Sequence, residues 1–91
     1  MLCAKRYIVR GFVQGVGYRV FARGAAEGLG VTGFARNLRS GDVEVYAEAD
    51  ETVLAQFKAA LQRGPAGADV AAITEDDLEA SREYSSFIIR G

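Results

Sequence analysis

The chain has 91 residues, enough for one domain with a hydrophobic core and too few for a second. Its single cysteine, Cys3, and its lack of histidine exclude an internal disulfide framework, the usual zinc and haem sites, and any Ser-His or Cys-His catalytic pair. No apolar run approaches the ~18 residues of a membrane span, and the first residues lack the apolar region of a signal peptide. We therefore expect a single cytoplasmic domain over residues 1–91.

The net charge of −1 conceals an asymmetry along the chain. Residues 1–41 carry seven basic side chains and one acidic side chain, whereas residues 42–91 carry four basic and eleven acidic ones. A basic segment indicates an anionic ligand, although a compact fold that mixes both segments on one surface explains the pattern equally well. The isoelectric point near 5.4 argues against a nucleic-acid partner, because domains that bind nucleic acid are usually strongly basic.

The first part of the chain predicts a strand, a helix and a second strand. Residues 4–13 are rich in β-forming residues that place apolar side chains on one face at a period of two. A helix fits residues 19–29, where small apolar residues lie along one face, and Gly30 is well placed to end it. Residues 31–38 predict the second strand.

The second part predicts a hairpin, a helix and two more strands. Ser40-Gly41 forms the turn, and apolar and polar residues alternate over 43–48, so we expect one buried and one hydrated face. Asp50 is expected to cap a helix that Gly64-Pro65 ends. The remainder predicts a short strand at 70–74, a polar loop or turn at 75–86 and a last strand at 87–89.

This order is β-α-β-β-α-β plus a short C-terminal strand. It predicts an α+β fold of the ferredoxin-like type, a two-layer sandwich in which two helices cover one face of an antiparallel sheet. Fold alone assigns no chemistry, because ferredoxin-like sheets occur in enzymes, RNA-binding domains and metal chaperones. Function must be inferred from particular residues.

The first candidate site lies between the first strand and the first helix, in the stretch Gly11-Phe12-Val13-Gln14-Gly15-Val16-Gly17-Tyr18-Arg19. Glycines permit positive φ angles, and successive backbone N–H groups at a helix start form a concavity that suits phosphate. An arginine in the first helical turn adds a planar fork of donors that can grip two phosphate oxygens. The spacing matches neither a dinucleotide-binding loop nor a Walker loop. An ordinary tight turn with a surface arginine remains the alternative.

The second candidate site is Gly33-Phe34-Ala35-Arg36-Asn37-Leu38-Arg39-Ser40-Gly41, where the second strand ends. The carboxamide of Asn37 can donate and accept hydrogen bonds together, which suits holding a water molecule against an electrophile. An isolated asparagine here is also typical of a residue that only forms the turn. Because the second strand can return to the end of the first, Asn37 is a candidate to face Arg19.

Three smaller features are weaker candidates. Cys3 has no basic partner in the pattern that would make it a catalytic thiol. The acidic residues between Glu75 and Glu79 are more typical of a hydrated face than of a cation site. Four aromatic residues, Tyr7, Phe12, Tyr18 and Phe34, could stack RNA bases, but the sequence lacks the RNP pattern, so we expect them to pack in the core or on the sheet.

Both candidate stretches resemble the signatures of the acylphosphatase family. The stretch from Val13 to Arg19, preceded by Gly11, is similar to the first signature, and Gly33 to Asn37, followed by Gly41-Asp42-Val43, is similar to the second. The resemblance covers nearly the whole chain. Tyr18 stands where phenylalanine is commoner and Ala49 where the second signature usually ends in glycine, and neither departure affects Arg19 or Asn37.

The resemblance implies an enzyme that hydrolyses the carboxyl-phosphate bond of acyl phosphates to a carboxylate and inorganic phosphate. Its catalytic residues would be Arg19, which binds the phosphate, and Asn37, which orients the attacking water. The backbone amides around the phosphate would come from Gln14, Gly15, Val16, Gly17, Tyr18 and Arg19.

We expect no metal and no cofactor, a small acyl phosphate as the ligand, no nucleic-acid or membrane partner, and a monomer. One alternative is a non-catalytic anion- or RNA-binding module of the same fold. Another is a unit that in other chains forms one domain of a larger carbamoyl-handling protein.

Overall fold

The computed structural model describes all 91 residues and contains five strands and two helices. The strands form one sheet in the order β4-β1-β3-β2-β5. The predicted α+β, ferredoxin-like fold class is confirmed. The elements are β1 (Leu2–Phe12), α1 (Tyr18–Leu29), β2 (Thr32–Asn37), β3 (Val43–Asp50), α2 (Glu51–Arg63), β4 (Asp69–Leu78) and β5 (Phe87–Arg90).

Both helices begin and end at residues suited to their ends. Helix α1 is flanked by Gly17 and Gly30, both in the left-handed conformation that glycine adopts without steric cost. Helix α2 begins after Asp50, whose carboxylate accepts a hydrogen bond from the backbone N–H of Thr52, and it is followed by Gly64. The predicted caps at Asp50, Gly30 and Gly64 are therefore confirmed.

The hydrophobic core lies between the two helices and one face of the sheet. The aromatic rings of Tyr7 and Tyr18 are buried in it, and their hydroxyls donate to backbone carbonyls of Leu54 and Leu61 in α2, at 3.4 and 2.7 Å. Burial raises the pKa of Tyr7 to about 12 and also holds the pKa of Tyr18 above its usual value. Tyr7 therefore joins α2 to the sheet and Tyr18 joins α2 to α1, and neither ring is available to stack bases.

The last strand makes the sheet mixed. Strands β1 to β4 pair in the antiparallel manner that the sequence predicts, whereas β5 pairs parallel to β2. Strands β4 and β5 lie at opposite edges, so residues 79–86 must pass from one edge to the other. Their contacts with Tyr46 and Glu48 lie on the sheet face away from the helices, which we call the outer face. That path determines the direction in which β5 enters the sheet.

Strand β4 is twice as long as predicted, because residues 75–78 continue the strand and do not form a loop. Backbone pairing with β1 extends to Leu78, which lies opposite Ala4. The acidic side chains here are compatible with an edge strand, since Glu75 and Asp77 form ion pairs with Lys5 at 2.9 and 2.7 Å. Pairing with a neighbouring strand thus overrides the low β-propensity of acidic residues.

The prediction that one face of β3 is hydrated is wrong. Glu44, Tyr46 and Glu48 are all buried, although they alternate with the apolar residues of the strand. Glu44 lies between Arg6 and Arg36, and residues 79–86 cover Tyr46 and Glu48. β3 is the central strand of the sheet, so both of its faces are covered, one by the helices and the other by charged partners and the crossing segment.

Candidate active site

A cavity of about 120 Å³ lies where the β1–α1 loop, the end of β2 and strand β5 meet. Gly15, Gly17 and Arg19 line one side, Asn37 reaches it from β2, and Ile89 reaches it from β5. The structure thus brings Arg19 and Asn37 into one cavity, a juxtaposition that the sequence left open.

The loop backbone is shaped by glycines. Gly15 and Gly17 have φ angles of +77° and +76°, in the left-handed region, and no atom lies within 4 Å of where a Cβ would stand. Conformation, and not lack of space, therefore favours glycine at both positions. Gly11 differs, because a Cβ there would lie 2.2 Å from the carbonyl oxygen of Asp69, at the bulge where the pairing of β1 with β4 shifts.

The start of α1 suits an anion. No side chain caps the helix at Gly17, and its first turn contains no acidic residue. The backbone N–H groups of a first helical turn have no partner within the helix, and the helix dipole places partial positive charge there. No carboxylate of the chain accepts hydrogen bonds from these N–H groups. They lie next to the guanidinium of Arg19, where they can bind an anion.

Arg19 is half-buried and tethered by one of its donors. Its Nη1 donates to the backbone carbonyl oxygen of Arg90 in β5, at 3.0 Å. A guanidinium has five N–H donors, so this contact orients the group and leaves other donors for a ligand. The carbonyl of Arg90 is a site contact that the sequence analysis missed, because no local pattern connects residues at opposite ends of the chain.

Asn37 does not form the turn that follows it. The turn is held by backbone hydrogen bonds, from the N–H of Leu38 to the carbonyl of Asp42 at 2.9 Å and from the N–H of Gly41 to the carbonyl of Leu38 at 3.1 Å. The Ser40 hydroxyl adds a contact with the Asp42 carboxylate. The half-buried carboxamide of Asn37 forms no hydrogen bond with another residue, which argues against a purely turn-forming role.

The other loop residues are placed differently from one another. The ring of Tyr18 packs in the core, while Val16 packs beside the core and does not line the cavity. The side-chain amide of Gln14 turns away from the loop and donates to the carbonyl oxygens of Leu38 and Asp42. Gln14, Val16 and Tyr18 can therefore offer the cavity only their backbone.

One wall of the cavity is apolar and was not predicted. Val20 follows Arg19 in the first turn of α1 and is 57% exposed, and Ile89 of β5 lies on the same cavity. Val13, which is fully buried, closes the base. The sequence places a valine directly after an arginine. This pattern indicates an exposed apolar wall only when the helix is known to begin at this point.

The remaining candidate residues lie elsewhere. Glu75 pairs with both Lys5 and Lys58, and hydrogen bonds from the two ammonium groups hold its pKa below its usual value despite partial burial. No three Cys, Asp or Glu side chains lie together in a way that could hold a metal ion. The thiol of Cys3 donates to the carbonyl of Met1, and its side chain packs beside the core. Neither helix has the length and apolar character that a membrane crossing requires.

Comparisons with known proteins agree on one family. The model of the family described as Acylphosphatase matches residues 5–89. The chain is 52% identical over 87 residues to an acylphosphatase of Solibacter usitatus, covering 96% of this chain and 90% of the relative. It is 43% identical over 86 residues to one of Pasteurella multocida, covering 94% and 96%. The crystal structure of acylphosphatase from Bacillus subtilis superposes with a TM-score of 0.94 at 33% identity over the full length of both chains. The chain belongs to the acylphosphatase family, which is a family of enzymes.

Proposed function

We propose that the chain hydrolyses acyl phosphates in the cavity between the glycine loop and Asn37, with Arg19 binding the phosphoryl group and Asn37 orienting the attacking water. The observation that carries the proposal is the convergence of Arg19 and Asn37, from two elements, on one cavity beside two left-handed glycines. Membership of the acylphosphatase family supports the reaction class.

The phosphoryl group binds through charge and backbone donors. The free donors of Arg19 grip phosphate oxygens, and the N–H groups at the start of α1 contact the same group. Phosphoryl transfer depends mainly on positioning and on stabilising the charge of the transition state, so the loop needs no covalent nucleophile. The tether to Arg90 supports this role, because an oriented guanidinium loses less freedom when the substrate binds.

The water molecule is held by Asn37. The carboxamide oxygen of Asn37 can accept a hydrogen bond from the water molecule. The water molecule can at the same time form a second hydrogen bond, as donor or acceptor, with another group. The water oxygen forms a bond to phosphorus as the bond from phosphorus to the carboxyl oxygen breaks, and the carboxylate leaves. The cavity lining contains no Asp, Glu or Lys, and the chain contains no histidine, so a phosphate oxygen of the substrate accepts the water proton.

The apolar wall receives the acyl part of the substrate. Val20 and Ile89 present hydrocarbon next to the polar loop, so an acyl phosphate can place its charged end on Arg19 and its carbon skeleton on the wall. Burying each additional methylene contributes about 0.8 kcal/mol. An aryl acyl phosphate such as benzoyl phosphate is therefore a better substrate than acetyl phosphate.

The test is phosphate release from benzoyl phosphate and from acetyl phosphate in the presence of EDTA. We expect turnover of both, with the larger kcat/KM for benzoyl phosphate and little gain from added Mg²⁺. Asn37→Ala should lower kcat by about 10²-fold and leave competitive inhibition by inorganic phosphate nearly unchanged.

Ser40→Ala is the matched control, because it removes a side-chain contact of the same turn without touching the cavity. Its kcat should equal that of the unmodified chain. Phosphate binding without turnover would instead favour a non-catalytic anion-binding module. Full turnover by folded Asn37→Ala would overturn the role of that residue.

A further inference from the structure

We propose that Gln14 is a positioning residue that holds Asn37 against the glycine loop. This inference rests on the proposed function, because it assigns Gln14 a part in presenting Asn37 to the substrate. It concerns the side chain of Gln14, which does not line the cavity.

The half-buried side-chain amide of Gln14 joins two separate segments. Its Nε2 donates to the carbonyl oxygen of Leu38 at 2.7 Å and to that of Asp42 at 2.9 Å. Leu38 and Asp42 stand at the two ends of the turn between β2 and β3, and the N–H of Leu38 also donates to the carbonyl of Asp42. One amide group therefore uses both of its hydrogens to close the turn from outside.

The sheet joins these two segments only indirectly, through β3, whose Val43 pairs with Val9 of β1 and with Asn37 of β2. Strand β3 lies between β1 and β2, so no ladder of backbone hydrogen bonds joins the end of β1, where the loop begins, to the end of β2, where Asn37 lies. Gln14 is the neighbour of Gly15 in the loop, and Leu38 is the neighbour of Asn37. The two hydrogen bonds of Gln14 thus connect the phosphate-binding half of the cavity directly to the half that carries Asn37.

Such a connection affects the distance between the water and the phosphorus atom. A misplacement of about 1 Å in a positioned group can lower a rate by about 10²-fold. Loss of the Gln14 donors should therefore lower kcat, because the turn and Asn37 shift. It should spare phosphate affinity, because Arg19 remains tethered to Arg90 and the helix start remains in place.

The decisive experiment is a double-mutant cycle between Gln14→Met and Asn37→Ala, assayed with benzoyl phosphate. Methionine keeps the approximate length and volume of glutamine and removes both donors. We expect Gln14→Met to lower kcat by about 10- to 100-fold with the inhibition constant of inorganic phosphate within about twofold of normal. In the Asn37→Ala background the same substitution should change kcat by less than about twofold.

Two controls separate positioning from general destabilisation. Gln62→Met changes an exposed glutamine of α2 and should leave kcat unchanged. Gln14→Asn keeps an amide but shortens the side chain by one methylene, so its amide should no longer reach both carbonyls and the same kcat defect should appear without loss of side-chain polarity. All rates are measured below the melting temperature of each variant and corrected for the folded fraction.

The outcomes distinguish this inference from the proposed function. Normal kcat in folded Gln14→Met, multiplicative effects in the double variant, or a parallel loss of phosphate affinity would overturn the positioning role of Gln14 alone. Normal turnover in folded Asn37→Ala would overturn the water-orienting role of Asn37, on which this inference rests. Absence of turnover in the unmodified chain would overturn the proposed function itself. A defect confined to kcat that vanishes in the Asn37→Ala background supports both.

Discussion

The glycine loop at the cavity and the segment at Ser81 on the outer face both direct backbone N–H groups towards a place for negative charge. At Ser81 the charge belongs to the chain, because the carboxylate of Glu48 accepts from the N–H groups of Ser81 and Arg82 at 2.7 and 3.1 Å. The hydroxyls of Ser81 and Tyr46 also donate to it. At the cavity, no carboxylate of the chain accepts from the loop or from the start of α1.

This difference separates an anion site that stabilises the fold from the proposed substrate site. Glu48 is 2% exposed, and burial alone would raise its pKa, yet the hydrogen bonds from Tyr46, Arg82 and Ser81 outweigh burial and keep the pKa below its usual value. Its contacts fix residues 79–86 across the sheet. Donors saturated by the chain therefore contribute to stability, and donors that the chain does not saturate are available to a substrate.

The largest expected effect is the loss of catalysis in Arg19→Ala. Removal of a preorganised donor that stabilises developing charge lowers rates by about 10²–10³-fold, and Arg19 should act on both KM and kcat. Arg19→Lys should restore little, because a point charge cannot reproduce a two-pronged grip. Steady-state kinetics with benzoyl phosphate measure both constants.

Arg23→Ala is the matched control for Arg19. Arg23 lies one turn later on α1 and does not line the cavity, so its removal should leave both constants unchanged. A similar loss in both variants would mean that the positive charge of the helix, and not a specific contact, drives binding.

The next effect is on stability, at Glu48. Glu48→Ala leaves the N–H groups of Ser81 and Arg82 without their acceptor and should lower the free energy of unfolding by about 3 kcal/mol. Denaturant unfolding measures the change, and turnover per folded molecule should stay normal. Glu27→Ala, an exposed glutamate on α1, is the control. A large loss of turnover in folded Glu48→Ala would erase the distinction between the two anion sites.

A pair of glycine substitutions probes the loop more finely. Gly17→Ala forces a side chain into a left-handed conformation and should cost about 1–2 kcal/mol of unfolding free energy. Relaxation of that strain would redirect the loop N–H groups, so kcat/KM should fall as well. Gly24→Ala lies within α1 with open space around the added Cβ and should raise stability by up to about 1 kcal/mol with normal kinetics. Normal kinetics in both variants would argue against a role of the loop backbone.

The smallest effect is that of pH on turnover. No side chain has an ordinary pKa between pH 6 and 8. Hydrogen bonds lower the pKa values of carboxylates such as Glu48 and Glu75, and burial raises the pKa of Tyr7, so these values move away from this range. The value of kcat at saturating substrate should be nearly constant there. A kcat profile with a limb near neutrality would reveal a titrating group that takes part in catalysis.

Stability should depend on pH only outside that range. The pKa values of Glu48 and Glu75 are lower in the folded chain, so their contribution is present above the ordinary pKa of about 4.3 and is lost as the pH falls through the folded values. The pKa of Tyr7 is raised to about 12, so its contribution is lost between about pH 10 and that value. Denaturant unfolding at a series of pH values measures both limbs.

Local sequence patterns predict the features that depend on neighbouring residues. The order of elements and the helix ends at Gly30 and Asp50 follow from side-chain periodicity, from the conformations that glycine permits and from hydrogen bonds made within a few residues. Arg19 and Asn37 became candidates through their residue types and through the resemblance of their stretches to the family signatures. The structure confirms the fold and the helix ends, and brings the two candidate residues to one cavity. Their roles in catalysis remain proposals.

The contacts between distant segments depend on how the strands are arranged in the sheet. Neither the tether of Arg19 to Arg90 nor the amide of Gln14 on the β2–β3 turn follows from local spacing, because each depends on which strands become neighbours. The alternation in β3 predicts a hydrated face at Glu44 and Glu48, yet residues 79–86 cross that side of the sheet and the arginines of adjacent strands surround Glu44. A local pattern encodes the conformation of a segment, whereas the path of the rest of the chain determines what covers it.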